Sequence, residues 1–165
     1  MSPAPRQRQF AISPLDYAYR LLARRAYSEQ KLAEKMLSTG FTETAVARTV
    51  ERLKEQGYLN DTLLAADQAE RLHKQSLGRE RIRVKLLQKG LAPDTIDDAL
   101  AAEESPDELK KARRFLASRF SADALKQPKV AARACRLLVS RGYSPDVVEQ
   151  LFGSGLDFNW RAEEE

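Results

Sequence analysis

The sequence predicts an all-α protein made of three tandem three-helix repeats, stacked into an elongated, curved helical array, right- or left-handed. Three observations support this class. Helix-favouring Ala, Leu, Arg, Lys, Glu and Gln are abundant in the 165 residues. No segment alternates apolar and polar residues between hairpin turns, as a strand would. Similar turns recur at Gly40, Gly90 and Gly142, at intervals of 50 and 52 residues.

Apolar residues recur at fixed distances from these three glycines. They stand eight, four and three residues before each glycine and six and ten residues after it, which marks one apolar helical face on either side. Agreement across three segments indicates an internal triplication. The residues are Leu32, Met36, Leu37, Val46 and Val50, then Ile82, Leu86, Leu87, Ile96 and Leu100, then Ala134, Leu138, Val139, Val148 and Phe152.

The first repeat is placed at residues 13–60. Pro14, in the first helical position, begins a helix that is expected to run to about Arg25. The segment "SEQKLAEKMLST" predicts a second helix, which Gly40 ends in the left-handed conformation. Thr42 then caps a third helix.

The second repeat is placed at residues 61–105. Its first helix begins at Asp61, with Asn60 or Asp61 as the cap, and the chain turns after this helix near "SLG". Two further helices are predicted at about 79–89 and 93–103.

The third repeat is placed at residues 106–154. Ser105 and Glu108 form a predicted capping box at its start. The second helix begins near Pro128, and Ser144 caps the last one. Such repeats are marginal alone and share a core with their neighbours.

Several features of the sequence indicate the cellular compartment. The single cysteine, Cys135, cannot form an internal disulfide, which indicates a reducing compartment. No window approaches the roughly 20 apolar residues of a membrane span. We therefore expect a cytoplasmic protein with a flexible N-terminus at 1–12, a C-terminal tail at 155–165 and no membrane contact.

The residue pattern offers no catalytic site. His73, the single histidine, is interpreted as a solvated or core side chain, and Cys135 as a packing residue. No metal-ligand spacing, nucleophile pair or nucleotide-binding fingerprint is found. The prediction is a non-enzymatic protein without cofactors or metals.

Positive charge is concentrated late in the chain and on the second helix of each repeat. Residues 106–154 hold ten basic and five acidic side chains, a balance of +5. A solvated surface explains any one of these charges. Recurrence at matched positions, nine and five residues before the glycines, indicates a binding surface for nucleic acid or an acidic protein groove. The predicted basic face comprises Lys31, Lys35, Arg79, Arg81, Lys85, Lys89, Arg113, Arg114, Arg133 and Arg136.

Arg83 differs because it falls within the apolar arc of its helix. A charge there must be paired or must extend out to solvent along its stem. A salt bridge to Asp97 or Asp98 is the favoured interpretation, and a binding role is the alternative.

Four segments resemble, in order, the blocks of the RecX family of bacterial recombinase regulators. They are "YSEQKLAEKMLSTGF", "LKEQGYLND" with "LAADQAE", "RLHKQSLGRERIRVKLLQKGL" and "DTIDDAL". The resemblance covers about residues 13–105, and "SRGYSPDVVEQLF" extends it into the third repeat. Asn60 stands where the family usually has an acid, and Leu64 where it often has Phe.

The resemblance implies a non-catalytic regulator and a partner. The partner is the RecA recombinase filament on single-stranded DNA, bound along its groove. Inhibition of its ATPase, strand exchange and filament growth would modulate recombination, DNA repair and the SOS response. Weak DNA contact and a monomeric state are also expected.

A direct, weakly specific DNA-binding protein of helix-turn-helix-like units is the alternative function. Its third helices would have to read bases, yet they are mostly acidic or apolar. Asp94, Asp97 and Asp98 in the middle repeat would repel phosphate. The sequence therefore argues against an operator-binding protein, but not against weak backbone contact through the second helices.

Overall fold

A computed structural model describes residues 12–101 and 105–153 of the chain. Ten α-helices and no strands occur in that described part, so the predicted all-α class is confirmed. The helices are α1 (Pro14–Leu22), α2 (Glu29–Thr39), α3 (Glu43–Glu55), α4 (Asp61–Lys74), α5 (Arg79–Gln88), α6 (Pro93–Ala101), α7 (Ser105–Ala117), α8 (Ala122–Leu125), α9 (Pro128–Ser140) and α10 (Pro145–Phe152).

The described residues fall into two compact units. Unit 1 extends to Leu64 and includes the turn Lys89–Leu91. Unit 2 comprises Ala65–Gln88 and the chain from Ala92 onward. Helices α1, α2 and α3 therefore belong to unit 1, helices α5 to α10 belong to unit 2, and α4 passes from one unit into the other.

Unit 1 is a three-helix cluster in which α2 packs against α3 and α1 packs on both. Hydroxyl side chains begin each helix, since Ser13, Ser28 and Thr42 accept hydrogen bonds from the amides of their first turns. The apolar faces then meet in one core. Its buried residues are Ala18, Leu32, Met36, Phe41, Val46, Leu53 and Leu59.

The turn Lys89–Leu91 lies against the start of α2 within unit 1. The Ser28 hydroxyl donates to the Lys89 carbonyl at 2.6 Å, and the amide of Lys31 donates back to the Ser28 oxygen at 3.2 Å. Asp61 accepts from the amide of Glu29 at 3.0 Å. Two amides of the first turn of α2, those of Glu29 and Lys31, thus donate to side chains.

Unit 2 has its main core between α7, α9 and α10, with the four-residue α8 packed on α9. Ser144 caps α10 by accepting from the amide of Val147 at 3.3 Å, as predicted. Elsewhere in the unit, α5 packs against α6. The main core consists of Ala112, Phe115, Leu116, Ala134, Cys135, Leu138, Tyr143, Val147 and Val148.

The turn at Gly142 lies against the start of α5 within unit 2. The amides of Gly78 and Glu80 donate to the carbonyls of Arg141 and Gly142 at 2.9 and 3.0 Å. The amide of Arg79 between them donates to the Glu108 carboxylate at 3.0 Å. These contacts satisfy the first three amides of the α5 N-terminus with groups from later in the chain.

Gly78 and Gly142 allow their backbones to touch. A Cβ on Gly78 would lie 2.3 Å from the Gly142 carbonyl, and one on Gly142 would lie 2.3 Å from the amide nitrogen of Arg81. Gly142 also has φ of 82°, which disfavours any other residue. Glycine is therefore required at both places for close approach, and at Gly142 also for the left-handed conformation that ends α9.

Most predicted helix boundaries agree with the structure to within a few residues. Helix α1 ends at Leu22, earlier than the predicted Arg25. Asn60, and not Asp61, caps α4, by accepting from the Leu63 amide at 2.9 Å. The departure from the RecX pattern at Leu64 leaves that side chain half-buried. The short helix α8 was not predicted.

One part of the predicted apolar face is wrong. Leu37 and Leu87, three residues before their glycines, keep 41% and 44% of their surface exposed. Successive helical residues are turned by about 100° around the helix axis. Leu37 and Leu87 therefore point well away from the buried Met36 and Leu86 that precede them, and lie at the edge of the apolar face.

Some predictions fall outside the described residues. They concern residues 1–11 of the N-terminus predicted to be flexible at 1–12, the tail predicted at 155–165, and residues 102–103 of the helix predicted at 93–103. The side chain of Ser105 is likewise not described, so the predicted capping box is not observed. Its partner Glu108 accepts a hydrogen bond from the amide of Arg79.

Candidate protein and nucleic-acid interface

Three residues of the predicted basic face belong to unit 1. Lys35 lies on the exposed side of α2, and Lys89 is exposed in the turn. Lys31 is half-buried and forms a salt bridge with Glu34, one turn later, at 2.7 Å. Glu34 lies on the same exposed side of α2 as Lys31 and Lys35. The exposed side of α2 therefore carries mixed charge and is less basic than predicted.

Helix α5 carries three further residues of the predicted face, Arg79, Arg81 and Lys85. Arg81 is exposed, and Arg79 and Lys85 are half-buried. No carboxylate among the described residues lies within 4 Å of their charged groups. Their charge is therefore available to an external partner.

Arg83 on the same helix is neutralised. Its guanidinium binds the Asp97 carboxylate of α6 through both terminal nitrogens, with Nη2 at 2.7 Å from Oδ2. The structure thus selects Asp97, and not Asp98, from the two predicted partners. A two-point arginine–carboxylate pair fixes geometry as well as charge, so Arg83 holds α5 to α6.

Helices α7 and α9 carry the remaining four residues of the predicted face. Arg113, Arg114, Arg133 and Arg136 are all exposed. Arg133 and Arg136 are three residues apart and therefore lie near each other on one side of α9. None of the four has a carboxylate within 4 Å in the part of the chain that the structure describes.

Arg114 also lines an open cavity of about 600 Å³ between the end of α4 and α7. His73, interpreted from the sequence as a solvated or core side chain, lies there and is half-buried. Lys74 also lines this cavity, and its Nζ forms a salt bridge with Oε1 of Glu70 at 2.7 Å. The other lining residues are Glu70, Ser76, Lys111, Phe115 and Ser118.

Sequence reasoning missed two features of these helices. Lys129 is exposed one turn before Arg133 on α9 and extends its basic side, a four-residue spacing visible in the sequence. Val84 and Leu87 lie exposed beside Arg81 and Lys85 on α5. Only the structure could reveal this pair, because the pattern assigned Leu87 to the core.

The perturbed ionisable groups are structural. Burial raises the pKa of the Cys135 thiol, which lies in the core of unit 2, as the packing interpretation predicted. Burial also raises the pKa of Asp61, although the hydrogen bond from the Glu29 amide opposes this shift. Within the described ranges, no three His, Cys, Asp or Glu side chains form a possible metal site.

Comparison with known proteins identifies the family. The model described as the first three-helix domain of RecX matches residues 15–53, and the second three-helix domain matches residues 60–100. Solved structures agree in fold. The crystal structure of RecX from Lactobacillus salivarius has a TM-score of 0.70 at 17% identity, covering 84% of this chain and 91% of that one. A second crystal structure of a regulatory protein RecX has a TM-score of 0.71 at 23% identity, covering 83% and 70%.

Curated relatives extend the match along the sequence. Regulatory protein RecX of Leptothrix cholodnii is 35% identical over 137 residues, covering 81% of this chain and 83% of the relative. Regulatory protein RecX of Vibrio campbellii is 31% identical over 137 residues, covering 83% and 88%. No helix in the described part of the chain is long and apolar enough to cross a membrane. The resemblance seen in the sequence is confirmed, and the chain belongs to the RecX family of regulatory proteins.

Proposed function

We propose that this chain binds the RecA recombinase filament on single-stranded DNA and lies in its groove. Binding there inhibits ATP hydrolysis, strand exchange and filament growth, and so modulates recombination, DNA repair and the SOS response. The protein acts by occupancy and performs no catalysis of its own. Membership of a family of regulatory proteins supports this proposal, together with basic residues on α5, α7 and α9 that have no carboxylate within 4 Å in the described ranges.

The single observation that carries the proposal is the charge state of α5. Arg81 and Lys85 project from the helix with no acidic partner within 4 Å among the described residues, whereas Arg83 of the same helix is neutralised by Asp97. Exposed cations of this kind attract acidic protein surface and the phosphates of a bound strand. We include all ten residues of the predicted basic face and expect the largest contribution from Arg81 and Lys85.

Weak contact with the DNA strand is part of the same proposal. The arginines of α7 and α9 supply cations for phosphate contact without base recognition. Base-specific recognition is not supported, because the exposed residues of α6 include Asp94 and Asp98. A free-standing operator-binding protein therefore remains the weaker alternative.

The proposal is tested by reversing the charge of α5. We expect Arg81→Glu combined with Lys85→Glu to raise the concentration needed for half-inhibition of RecA ATP hydrolysis on single-stranded DNA by about tenfold or more. The effect should shrink as salt is added, because salt screens charge. Circular dichroism should show an intact fold, since surface substitutions typically change stability by less than about 0.5 kcal/mol.

The matched control is Arg48→Glu combined with Arg52→Glu. These residues are exposed on α3, are also four apart and carry the same charge, but lie outside the predicted face. The control should inhibit as the parent protein does. Equal loss in both variants would show that net charge, and not the α5 surface, matters. Full inhibition by the α5 variant would refute the assigned face.

A further inference from the structure

The outward side of α5 is centred on apolar side chains. Ile82 and Leu86 are fully buried, whereas Val84 and Leu87 each keep 44% of their surface exposed. Val84 points roughly opposite to the buried pair, because helical residues turn by about 100° each. Val84 and Leu87 are three residues apart and so are neighbours on the helix surface.

Charged and polar side chains border this apolar pair. Arg81 lies one turn before Val84, Gln88 lies one turn after it, and Lys85 lies one turn after Arg81. Glu80, exposed in the first turn of α5, lies one turn before Val84 and is the acidic residue that borders the pair, at the helix end where a carboxylate is favoured. We call Arg81, Val84, Lys85, Leu87 and Gln88 the α5 surface.

Unit 1 repeats one element of this arrangement. Leu37 of α2 stands at the position of Leu87, three residues before its glycine, and is 41% exposed. Single exposed leucines are common on protein surfaces. An exposed leucine at the same place in two repeats, next to Val84 in one of them, indicates a contact position.

The composition of the α5 surface discriminates between partners. A phosphodiester backbone offers hydrogen-bond acceptors and negative charge, but it offers nothing to aliphatic side chains. A protein surface with an apolar depression and carboxylates at its edge complements both the valine–leucine pair and the cations around it. The cations and the apolar centre of the α5 surface thus both favour an acidic protein surface over a phosphodiester backbone.

We infer that the α5 surface docks directly on a protein subunit of the filament, with Val84 and Leu87 in an apolar depression and Arg81 and Lys85 on carboxylates. This inference rests on the proposed function. Contact with the strand is then made by other basic residues, among them Arg133 and Arg136 of α9.

The experiment compares three proteins with the parent: Val84→Ser with Leu87→Ser, Arg133→Glu with Arg136→Glu, and the exposed-leucine control Leu63→Ser. Each is assayed for inhibition of RecA ATP hydrolysis on single-stranded DNA at low and high salt. Binding to a fluorescent oligonucleotide without RecA is measured by anisotropy. Circular dichroism and thermal melting establish that each variant is folded.

The α5 serine variant should need about tenfold more protein for half-inhibition at both salt concentrations, while its oligonucleotide binding changes by less than about twofold. The α9 variant should lose oligonucleotide binding, and Leu63→Ser should match the parent. Val84→Ile with Leu87→Met should restore inhibition, because an apolar centre is retained. This variant keeps the test decisive if the serine variant unfolds.

Three results would overturn the inference. Full inhibition by the serine variant would show that Val84 and Leu87 do not contact the filament, and the proposed function would be unaffected. A parallel loss of oligonucleotide binding would place the strand, and not a protein, on the α5 surface. A parent protein that does not inhibit RecA at all would refute the proposed function itself.

Discussion

The turn at Gly90 in unit 1 and the turn at Gly142 in unit 2 occupy matching places in the repeat, yet they use different chemistry. At Gly90, the Ser28 hydroxyl donates to the Lys89 carbonyl and also caps its own helix, α2. At Gly142, the residue that matches Ser28 is Gly78, and its backbone amide donates to the Arg141 carbonyl instead.

This difference determines how far each helix depends on its turn. Helix α2 has its own side-chain cap in Ser28. The described first-turn amides of α5 receive their bonds from Arg141, Gly142 and Glu108. The start of α5, and with it the proposed α5 surface, is therefore coupled to the third repeat. Two equivalent turns can thus have unequal consequences when they are disturbed.

The largest effect is expected at Gly142. Gly142→Ala places a Cβ 2.3 Å from the Arg81 amide nitrogen and also imposes a left-handed conformation on alanine. Together these should destabilise unit 2 by about 3 kcal/mol or more. Gly57→Ala is the control, because Gly57 has φ of 74° and nothing within 4 Å of its Cβ position, so it should cost only about 1 kcal/mol. Denaturant unfolding of both variants measures the difference, and equal losses would disprove the close contact.

A reciprocal exchange tests the chemistry of the two turns directly. Gly78→Ser, which copies unit 1, should destabilise by roughly 2–3 kcal/mol because the new Cβ meets the Gly142 backbone at 2.3 Å. Ser28→Gly, which copies unit 2, should cost only about 1 kcal/mol, from the lost hydroxyl bonds. Hydrogen exchange should show faster opening of α5 in the first variant and of α2 in the second. Similar losses would mean that the two turns are interchangeable.

The smallest effect is expected at Tyr143, which has no counterpart hydrogen bond at the Gly90 turn among the described residues. Its phenol donates to the Ser76 carbonyl at 3.3 Å, so Tyr143→Phe should cost about 1 kcal/mol at neutral pH.

The same residue predicts a pH effect at the alkaline end. Burial, with a smaller contribution from the Glu108 carboxylate, raises the pKa of Tyr143 from 10.0 to about 12. The unfolded chain then loses this proton first, so stability should fall as pH rises from 10.0 towards 12. Unfolding of the parent and of Tyr143→Phe across this range should show a shallower fall in the variant. Identical slopes would contradict the shift.

The sequence predicted the exposure of the α5 cations better than the exposure of its apolar residues. Arg81 and Lys85 follow from their spacing to Gly90, because Arg and Lys side chains lie at the surface by default. Leu87 was misassigned, because a leucine at helical spacing is taken as buried unless the neighbouring elements are known. The apolar part of the α5 surface could therefore be recognised only from the exposed fractions of Val84 and Leu87 in the structure.

What the sequence determined by itself is local. Helical propensity, the hydroxyl caps and the left-handed glycines act within one turn of the chain, so the helices and the repeat could be derived from residue types and spacing.

Tertiary structure decided the partners that are distant in sequence. It selected Asp97 for Arg83 over the adjacent Asp98, gave the Asp61 carboxylate to the amide of Glu29, and required glycine at position 78. No local pattern contains these outcomes, since each depends on how closely two helices approach and which way their ends face. The physical reason is that side-chain propensities act over a few residues, whereas packing joins groups that lie 14 to 67 residues apart.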